Sequence, residues 1–190
     1  RRQRWEDEIT KTKVAGINNV EVIDGCASFK DEHTILIKTA REEYEVYAER
    51  IFINTGSTPF IPDIEGLKIE NRIHTSESLM NLEEFPHTLT IFGSGFIGLE
   101  FAASYAKFGT KVTIIDKADK LLPREDDDVA NEVFESYKAL GVNFIFNAGI
   151  DHVEQDENKV TISYTVNGEK SQIYSDALLV ATGRKANIKD

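Results

Sequence analysis

The sequence predicts an α/β protein in which a parallel sheet and an antiparallel β-flap follow an antiparallel β-meander. Three observations support this fold class. β-rich segments with short connectors fill much of 20–53, strand-like and helix-like segments alternate through 88–146, and further β-rich segments flank a short turn at 166–170. Short connectors are typical of antiparallel strands, whereas alternating strands and helices are typical of a parallel sheet.

The first part of the chain combines a helix-like segment, three β-rich segments and a loop. Trp5 and Ile9 lie four residues apart, a spacing that places them in one narrow apolar stripe of a helix. A stretch rich in glycine, proline, serine and threonine follows the β-rich segments and predicts a loop. The predicted elements are a helix over 2–17, strands over 20–29, 34–39 and 43–53, a loop over 54–66 and a short helix over 76–82, with a domain boundary at 82–86.

The second part alternates strands and helices. Ile97, Phe101, Tyr105 and Phe108 lie at helical spacing, and Gly109 follows where a helix C-cap glycine belongs. We expect the strands that flank these helices to pair in parallel. The predicted strands are 88–92, 111–116, 142–146 and 177–183, the predicted helices are 95–108 and 127–140, and the flap strands lie near 152–154, 159–165 and 172–176.

Composition and charge argue against several classes of partner. Hydrophobic residues make up 41 % and charged residues 29 % of the 190 residues, as in ordinary globular proteins. The net charge of −11 argues against nucleic acid and anionic membranes, because phosphate groups attract clustered lysine and arginine. No apolar run approaches the ~20 residues that span a bilayer, and no apolar segment follows the first arginines as in a signal peptide. We therefore expect no nucleic-acid partner, no membrane partner and a cytoplasmic location.

Cysteine and histidine residues suggest no metal or redox site. Cys26 is the only cysteine, which excludes an intrachain disulfide, a paired redox motif and a cysteine-based zinc site. The four histidines lack the spacing of metal ligands, so we expect packing or surface roles for His33, His74, His87 and His152. We therefore predict no metal site.

The stretch TIFGSGFIGLEFA at 90–102 contains three glycines in the pattern G-x-G-x-x-G. The pattern follows a predicted strand and opens a predicted helix, which is the context of a Rossmann-like dinucleotide site. Gly93 permits the turn, Gly95 lets a pyrophosphate approach the backbone, and Gly98 lets the helix pack against the sheet. The helix N-terminus offers N–H groups and the positive end of its dipole to phosphates. The predicted cofactor-binding residues of this loop are Gly93, Ser94, Gly95, Phe96, Ile97 and Gly98.

An acidic residue ends the next predicted strand. Asp116 follows Gly98 at about the 20 residues expected for a ribose-binding acid. Its carboxylate can accept hydrogen bonds from both ribose hydroxyls and would repel a 2′-phosphate, so NAD is favoured over NADP. Lys117, which we include among the cofactor-binding residues, and Lys120 lie close by and soften that preference.

Two other interpretations of the glycine pattern stay open. It could be a glycine-rich turn of an α/β domain that binds nothing, or the cradle for S-adenosylmethionine of a methyltransferase, which also uses glycines and an acid after the second strand. The strand, the helix and the acid together favour the dinucleotide.

Four stretches resemble one family in the order in which that family has them. They are INTGSTPFIPDIEG, GSGFIGLEFA, LLPREDDDVANEVFESYKALGVNF and ALLVATGRKANI. Together they resemble the flavin-dependent pyridine nucleotide–disulfide oxidoreductases, in the branch with dihydrolipoamide dehydrogenase, mercuric reductase and glutathione reductase. The resemblance covers nearly the whole chain, so it is far more specific than any one motif.

The resemblance implies a division into functional parts. Residues 1–82 would be part of an FAD-binding domain that contains the meander, 83–176 the NAD-binding domain, and 177–190 the return to the FAD-binding domain. The family's reaction is hydride transfer from NAD(P)H to FAD and then electron transfer to a second acceptor. A disulfide, a metal ion, a quinone and dioxygen are all compatible with this sequence as that acceptor.

The resemblance also assigns individual residues. Glu100 occupies the position of the family's glutamate near nicotinamide and flavin, which makes it the catalytic candidate; a solvated helix glutamate is the alternative. Phe96 lies where relatives often place a tyrosine that gates the nicotinamide pocket, with ordinary packing as the alternative. The residues assigned to the crossings near the flavin and the nicotinamide are Thr55, Gly56, Gly183 and Arg184.

Several family motifs lie outside this sequence. They are the first glycine motif for FAD, the redox cysteine pair, the late Gly-Asp flavin motif and the C-terminal interface segment. We therefore expect an internal piece of a longer flavoprotein that lacks catalysis alone, monomeric by itself and part of a homodimer when complete. The alternative is a non-catalytic NAD(H)-binding module that acts as a redox sensor.

Overall fold

The computed structural model describes residues 20–188, and the helix predicted over 2–17 lies outside them. The chain divides into two compact units, Arg1–Asn54 and Thr55–Asp190. Among the described residues, no helix combines the length and the apolar composition that a membrane crossing requires.

The first unit contains the predicted meander. Its strands are β1 (Cys26–Phe29), β2 (Thr34–Lys38) and β3 (Glu43–Tyr47), which pair antiparallel in the order β1-β2-β3. The prediction of strands over 20–25 and 48–53 was wrong. Phe52 and Ile53 are 88 % and 67 % exposed and pair with no strand among the described residues. Residues with high β propensity form a strand only where they can pair and pack against neighbouring strands.

The second unit is built on a parallel sheet. The strands of this unit, which belong to three sheets, are β4 (Ser57–Pro59), β5 (Ile73–His74), β6 (Thr88–Phe92), β7 (Lys111–Ile115), β8 (Asn143–Ile145), β9 (Ala148–Gln155), β10 (Val160–Val166), β11 (Glu169–Ser175), β12 (Ala177–Val180) and β13 (Arg184–Ala186). Its helices are α1 (Ser76–Leu79), α2 (Phe96–Lys107) and α3 (Asp127–Ala139). Five strands pair in parallel in the order β5-β12-β6-β7-β8, which confirms the predicted α/β class.

Two strands of the parallel sheet, β5 and β12, come from segments that the family resemblance assigns to the FAD-binding domain. β12 pairs with β6, although it belongs to the stretch predicted to return to the FAD-binding domain, and β5 pairs with β12. β5 was not predicted, because two residues carry no periodic signal. The boundary predicted at 82–86 therefore does not coincide with the division into compact units, and the assignment of each part to a cofactor stays a prediction.

The flap and the crossings are antiparallel. β9, β10 and β11 form a three-stranded sheet in the order β11-β10-β9, which confirms the predicted flap. β4 pairs with β13, so the prediction of a loop throughout 54–66 was wrong for three residues. The partner strand lies far along the chain, and local composition does not reveal it.

Two apolar clusters cover the two faces of the parallel sheet. Neighbouring residues of β7 and β12 alternate between them, since Ile114 and Leu179 belong to one cluster and Ile115 and Leu178 to the other. The first cluster includes residues of α2 and α3, and the second includes residues of the flap strands β9 and β10. Burial on both faces explains why these strands are almost continuously apolar in sequence.

Candidate dinucleotide-binding site

The glycine loop joins β6 to α2 at the carboxyl edge of the parallel sheet. The N–H of Gly93 donates to the carbonyl of Ile115 on β7 at 3.0 Å, and the N–H of Ala181 donates to the carbonyl of Phe92 at 2.8 Å. The loop thus lies between the ends of the two strands that flank β6. Ligands of open α/β sheets bind outside such carboxyl ends, where the chain leaves a central strand in opposite directions.

The glycines of the loop face different surroundings. Gly93 has a φ of 114°, and a Cβ there would lie 2.5 Å from the carbonyl oxygen of Ala181. A Cβ on Gly98 would lie 2.1 Å from the carbonyl oxygen of Gly93. A Cβ on Gly95 would meet no atom within 4 Å. Gly93 and Gly98 therefore permit close packing within the protein, whereas Gly95 borders open space.

The N-terminus of α2 points its polar groups at this open space. The N-cap is Gly95, which has no side chain to cap the helix, and no acidic residue lies in the first turn. The first bond within the helix runs from the N–H of Leu99 to the carbonyl of Gly95 at 3.0 Å. The preceding N–H groups lack a partner within the helix and carry the positive end of its dipole, so they can bind an anion.

The predicted ribose acid lies directly beside the loop. The backbone N–H and the hydroxyl of Ser94 both donate to Oδ2 of Asp116, at 2.6 and 2.7 Å. The N–H of Ala118 donates to Oδ1 of Asp116 at 3.0 Å. The structure therefore brings Asp116 and the glycine loop together, and their role in binding a nucleotide stays a prediction. The bond from the Ser94 hydroxyl was not predicted.

The segment after β7 holds this acid in place. The N–H of Asp116 donates to Ile145 of β8, and its carbonyl accepts from Ala148 of β9, both at 2.9 Å. Leu121 and Leu122 are buried in the apolar cluster with α2, and the N–H of Leu122 donates to the carbonyl of Ser94 at 3.2 Å. These two leucines begin the stretch LLPREDDD that carries part of the family resemblance, but their burial beside the glycine loop was not predicted.

The lysines beside the acid have different surroundings. Lys120 forms an ion pair with Asp127 at the start of α3, and that hydrogen bond raises the pKa of Lys120 and lowers that of Asp127. Lys117 is exposed directly after Asp116. Lys117 is therefore an exposed cation adjacent to Asp116 in sequence, whereas Lys120 is paired with Asp127.

Phe96 and Glu100 are exposed on the first part of α2. Phe96 is 64 % exposed. Glu100 belongs to none of the ion pairs formed within residues 20–188, and its charge adds to burial in raising the pKa of Tyr137. Its role therefore stays a prediction.

The residues assigned to the flavin crossings are brought together. The side-chain amide and the backbone N–H of Asn187 donate to the carbonyls of Thr55 and Gly56, at 3.1 and 3.0 Å. The carbonyl of Gly183 accepts from the N–H of Phe60 at 2.9 Å. These bonds join the two distant glycine loops beside the β4–β13 pair.

Arg184 completes this junction. Its Nε donates to Oγ of Ser57 at 2.8 Å, and its Nη2 donates to the carbonyl of Ser57 at 2.6 Å. A carboxylate oxygen of Glu77 lies 3.6 Å from Nη2. The guanidinium therefore supports the crossing itself.

A separate cavity of about 810 Å³ lies at the amino edge of the sheet. It is lined by residues before β6 and β12 and by His74, which is 7 % exposed. Burial lowers the pKa of His74. No group of histidine, cysteine and acidic side chains within residues 20–188 is arranged to hold a metal ion.

Residues 4–190 match the family described as pyridine nucleotide-disulphide oxidoreductase. The chain is 40 % identical over 172 residues to the probable pyridine nucleotide-disulfide oxidoreductase RclA of Escherichia coli K12, covering 90 % of this chain and 38 % of that protein. It is 34 % identical to the dihydrolipoyl dehydrogenase of Geobacillus stearothermophilus, covering 97 % of this chain and 40 % of that protein.

Solved structures agree with these relatives. The HOCl-induced flavoprotein disulfide reductase RclA from Escherichia coli matches with a TM-score of 0.82 at 35 % identity, over 98 % of this chain and 41 % of that one. LpdA from Mycobacterium tuberculosis matches with a TM-score of 0.82 at 27 % identity, over 97 % of this chain and 40 % of that one. The chain spans about two fifths of the length of these relatives. It belongs to the pyridine nucleotide-disulphide oxidoreductase family.

Proposed function

We propose that the chain is the NAD(H)-binding portion of an FAD-dependent pyridine nucleotide-disulfide oxidoreductase and positions NADH for hydride transfer to the flavin. The observation that carries this proposal is the carboxylate of Asp116, held by Ser94 at the edge of an open helix N-terminus. Family membership supports a dinucleotide as the ligand, and the carboxylate of Asp116 supports NAD over NADP as that dinucleotide.

The residues of the cradle divide the binding between them. The open N–H groups of α2 and the free space at Gly95 would receive the pyrophosphate. Asp116 would accept a hydrogen bond from the adenosine ribose. The bound nicotinamide supplies the hydride, and the protein contributes orientation and electrostatics.

The preference for NAD over NADP rests on charge. The carboxylate of Asp116 would lie near a 2′-phosphate and repel it, whereas a ribose hydroxyl can donate to it. Lys117 is exposed beside it and offsets part of that repulsion. We therefore propose a preference for NADH that is partial and not absolute.

The flavin would meet this chain at the junction of the two glycine loops. We propose that Thr55, Gly56, Gly183 and Arg184 lie near FAD and that Glu100 faces the place where nicotinamide and flavin meet. On this proposal 1–82 belongs to the FAD-binding domain, 83–176 binds NAD and 177–190 returns to the flavin. The complete protein would be a cytoplasmic homodimer, and the chain alone would lack catalysis.

The electron acceptor differs among the relatives. Their names include mercuric reductase, dihydrolipoyl dehydrogenase and a flavoprotein disulfide reductase. These names support a disulfide or a metal ion as the class of acceptor for the complete protein.

The Asp116→Ala variant tests the proposed nucleotide preference. We expect the 190-residue chain to bind NADH more tightly than NADPH, and the variant to lose about tenfold in NADH affinity, the size of one charged hydrogen bond. The ratio of the two affinities, measured by calorimetric titration, should narrow. Asp119→Ala is the matched control, because it removes an exposed carboxylate from the same segment, three residues after Asp116. Equal affinities in the unaltered chain would contradict the assignment to NAD.

A further inference from the structure

The hydrogen bonds of Asp116 leave it one open position for a ligand. Each oxygen of a carboxylate can accept about two hydrogen bonds. Oδ2 already accepts two, from the N–H and the hydroxyl of Ser94 at 2.6 and 2.7 Å. Oδ1 accepts one, from the N–H of Ala118 at 3.0 Å. A ribose hydroxyl can therefore bind Oδ1 without displacing a protein donor, whereas Oδ2 is occupied.

We propose that Ser94 is a positioning residue that sets the discrimination between NADH and NADPH through Asp116. Its hydroxyl holds the carboxylate so that Oδ1 alone faces the ribose. This inference rests on the proposed function, and it reassigns Ser94 from a direct contact of the nucleotide to the support of the residue that makes the contact.

Burial keeps the Ser94 side chain from contacting a ligand. Its exposed fraction is 0 %, and its hydroxyl donates to a charged acceptor at a short distance. Such charge-assisted bonds are about twice as strong as neutral ones, so a phosphate would gain little by competing for this hydroxyl. The backbone N–H groups of α2 offer the phosphate a better site.

The main chain of Ser94 is held from a second side. The N–H of Leu122, which is buried in the apolar cluster, donates to the carbonyl of Ser94 at 3.2 Å. Ser94 thus connects the glycine loop with both the start and the middle of the segment after β7. A fixed carboxylate cannot turn away from a 2′-phosphate, and preorganisation of this kind improves both affinity and discrimination.

Removal of the hydroxyl should loosen this arrangement. In Ser94→Ala, Oδ2 keeps the backbone N–H and gains an open position, so the carboxylate can rotate. We expect NADH affinity to fall about fivefold, the effect of one lost hydrogen bond, and the NADH-to-NADPH preference to narrow by a similar factor. Ser94→Cys, which keeps one heavy atom beyond Cβ but donates only weakly, should give an intermediate ratio.

The test is a double-mutant cycle in the 190-residue chain. Affinities for NADH and NADPH are measured by calorimetric titration for the unaltered chain, Ser94→Ala, Asp116→Ala and the double variant, and thermal melts verify folding. If Ser94 acts through Asp116, Ser94→Ala leaves the ratio of affinities unchanged in the Asp116→Ala background. Ser104→Ala is the control, since it removes an exposed serine hydroxyl from α2, the helix that follows the loop of Ser94, and should leave the ratio unchanged.

The outcomes separate this inference from the function on which it rests. If the unaltered chain prefers NADH and Ser94→Ala and Ser94→Cys keep that preference in full, the role of Ser94 is overturned and the proposed function stands. The same follows if Ser94→Ala shifts the ratio equally in both backgrounds, as a general structural effect would. If the unaltered chain binds neither nucleotide, the proposed function fails and this inference fails with it.

Discussion

At the scale of single residues, the three glycines of the loop separate structure from binding. Gly98 packs directly against the backbone, because a Cβ added there would lie 2.1 Å from the carbonyl oxygen of Gly93. A Cβ added at Gly95 would meet no atom within 4 Å. Gly95 also has an extended backbone, with φ of −81° and ψ of −178°, which suits an N-cap serine. The two positions should therefore respond to substitution in opposite ways.

We predict that Gly95→Ser weakens NADH binding while the fold is kept, because the new side chain enters the space for the pyrophosphate. A serine N-cap should raise the free energy of unfolding by a few tenths of a kcal/mol, about the difference between serine and glycine at this position. Gly98→Ala should instead lower the free energy of unfolding by about 1–3 kcal/mol, because backbone atoms must move. Urea denaturation and nucleotide titration measure the two effects. Wild-type stability of Gly98→Ala would contradict the packing argument.

The positions of Ser94 and Asp116 could be predicted from the sequence, but the bond between their side chains could not. The sequence predicted both residues at the site from their positions in a motif. It could not predict that the hydroxyl bonds to the carboxylate, because the bond depends on how the loop and the end of β7 approach each other.

At the scale of elements, β5 and β12 extend the sheet beyond the predicted strand–helix alternation. β12 lies between β5 and β6, and its buried residues contribute to the apolar clusters on both faces of the sheet. The apolar run of β12 predicted a strand, but its neighbours depend on pairing with distant segments. β5 brings His74 into the interior, where the side chain is 7 % exposed.

The burial of His74 predicts a pH dependence of stability. Its pKa is lowered from the ordinary 6.5 in the folded state, so the unfolded chain binds more protons as the pH falls through 6.5. The free energy of unfolding should therefore decrease below about pH 6.5 and continue to decrease until the lowered pKa of the folded state is passed. The carboxyl groups whose pKa is lowered, Asp31, Asp127 and Asp156, titrate below 3.8 and leave this window clear.

Urea denaturation between pH 7.5 and 5.5 measures this dependence. His74→Leu should reduce the slope of the unfolding free energy against pH, because the titrating group is gone. His87→Gln is the control, since His87 is exposed at the same edge of the sheet and lines the same cavity. An unchanged slope in His74→Leu would show that another group causes the loss of stability.

At the scale of the whole molecule, the chain spans about two fifths of the length of RclA and of the dihydrolipoyl dehydrogenase to which it is similar. The candidate flavin residues Thr55, Gly56 and Arg184 bond with polypeptide segments of the same junction. The sequence contains one G-x-G-x-x-G pattern, at 93–98, which the proposed function assigns to NAD(H). On the proposed function, the chain would therefore carry the cradle for NAD(H) and only part of the site for FAD.

We therefore predict that the purified 190-residue chain is colourless and binds FAD substoichiometrically. The pyrophosphate of FAD lacks its glycine loop here, and a helix N-terminus of that kind supplies much of the binding of a dinucleotide. Absorbance after incubation with FAD and desalting measures this, with NADH titration as evidence that the same preparation is folded. Stoichiometric yellow flavin would overturn the proposed division into domains.

The sequence by itself determined the features that rest on local chemistry. The alternation of strands and helices predicted the parallel sheet, and the glycine spacing with Asp116 predicted the position of the candidate cradle, because turns, periodicity and short motifs are written in neighbouring residues. Only the tertiary structure decided which segments join that sheet, how β4 pairs with β13, and which donors occupy the carboxylate of Asp116. These features depend on contacts between residues far apart in the chain, which local pattern does not encode.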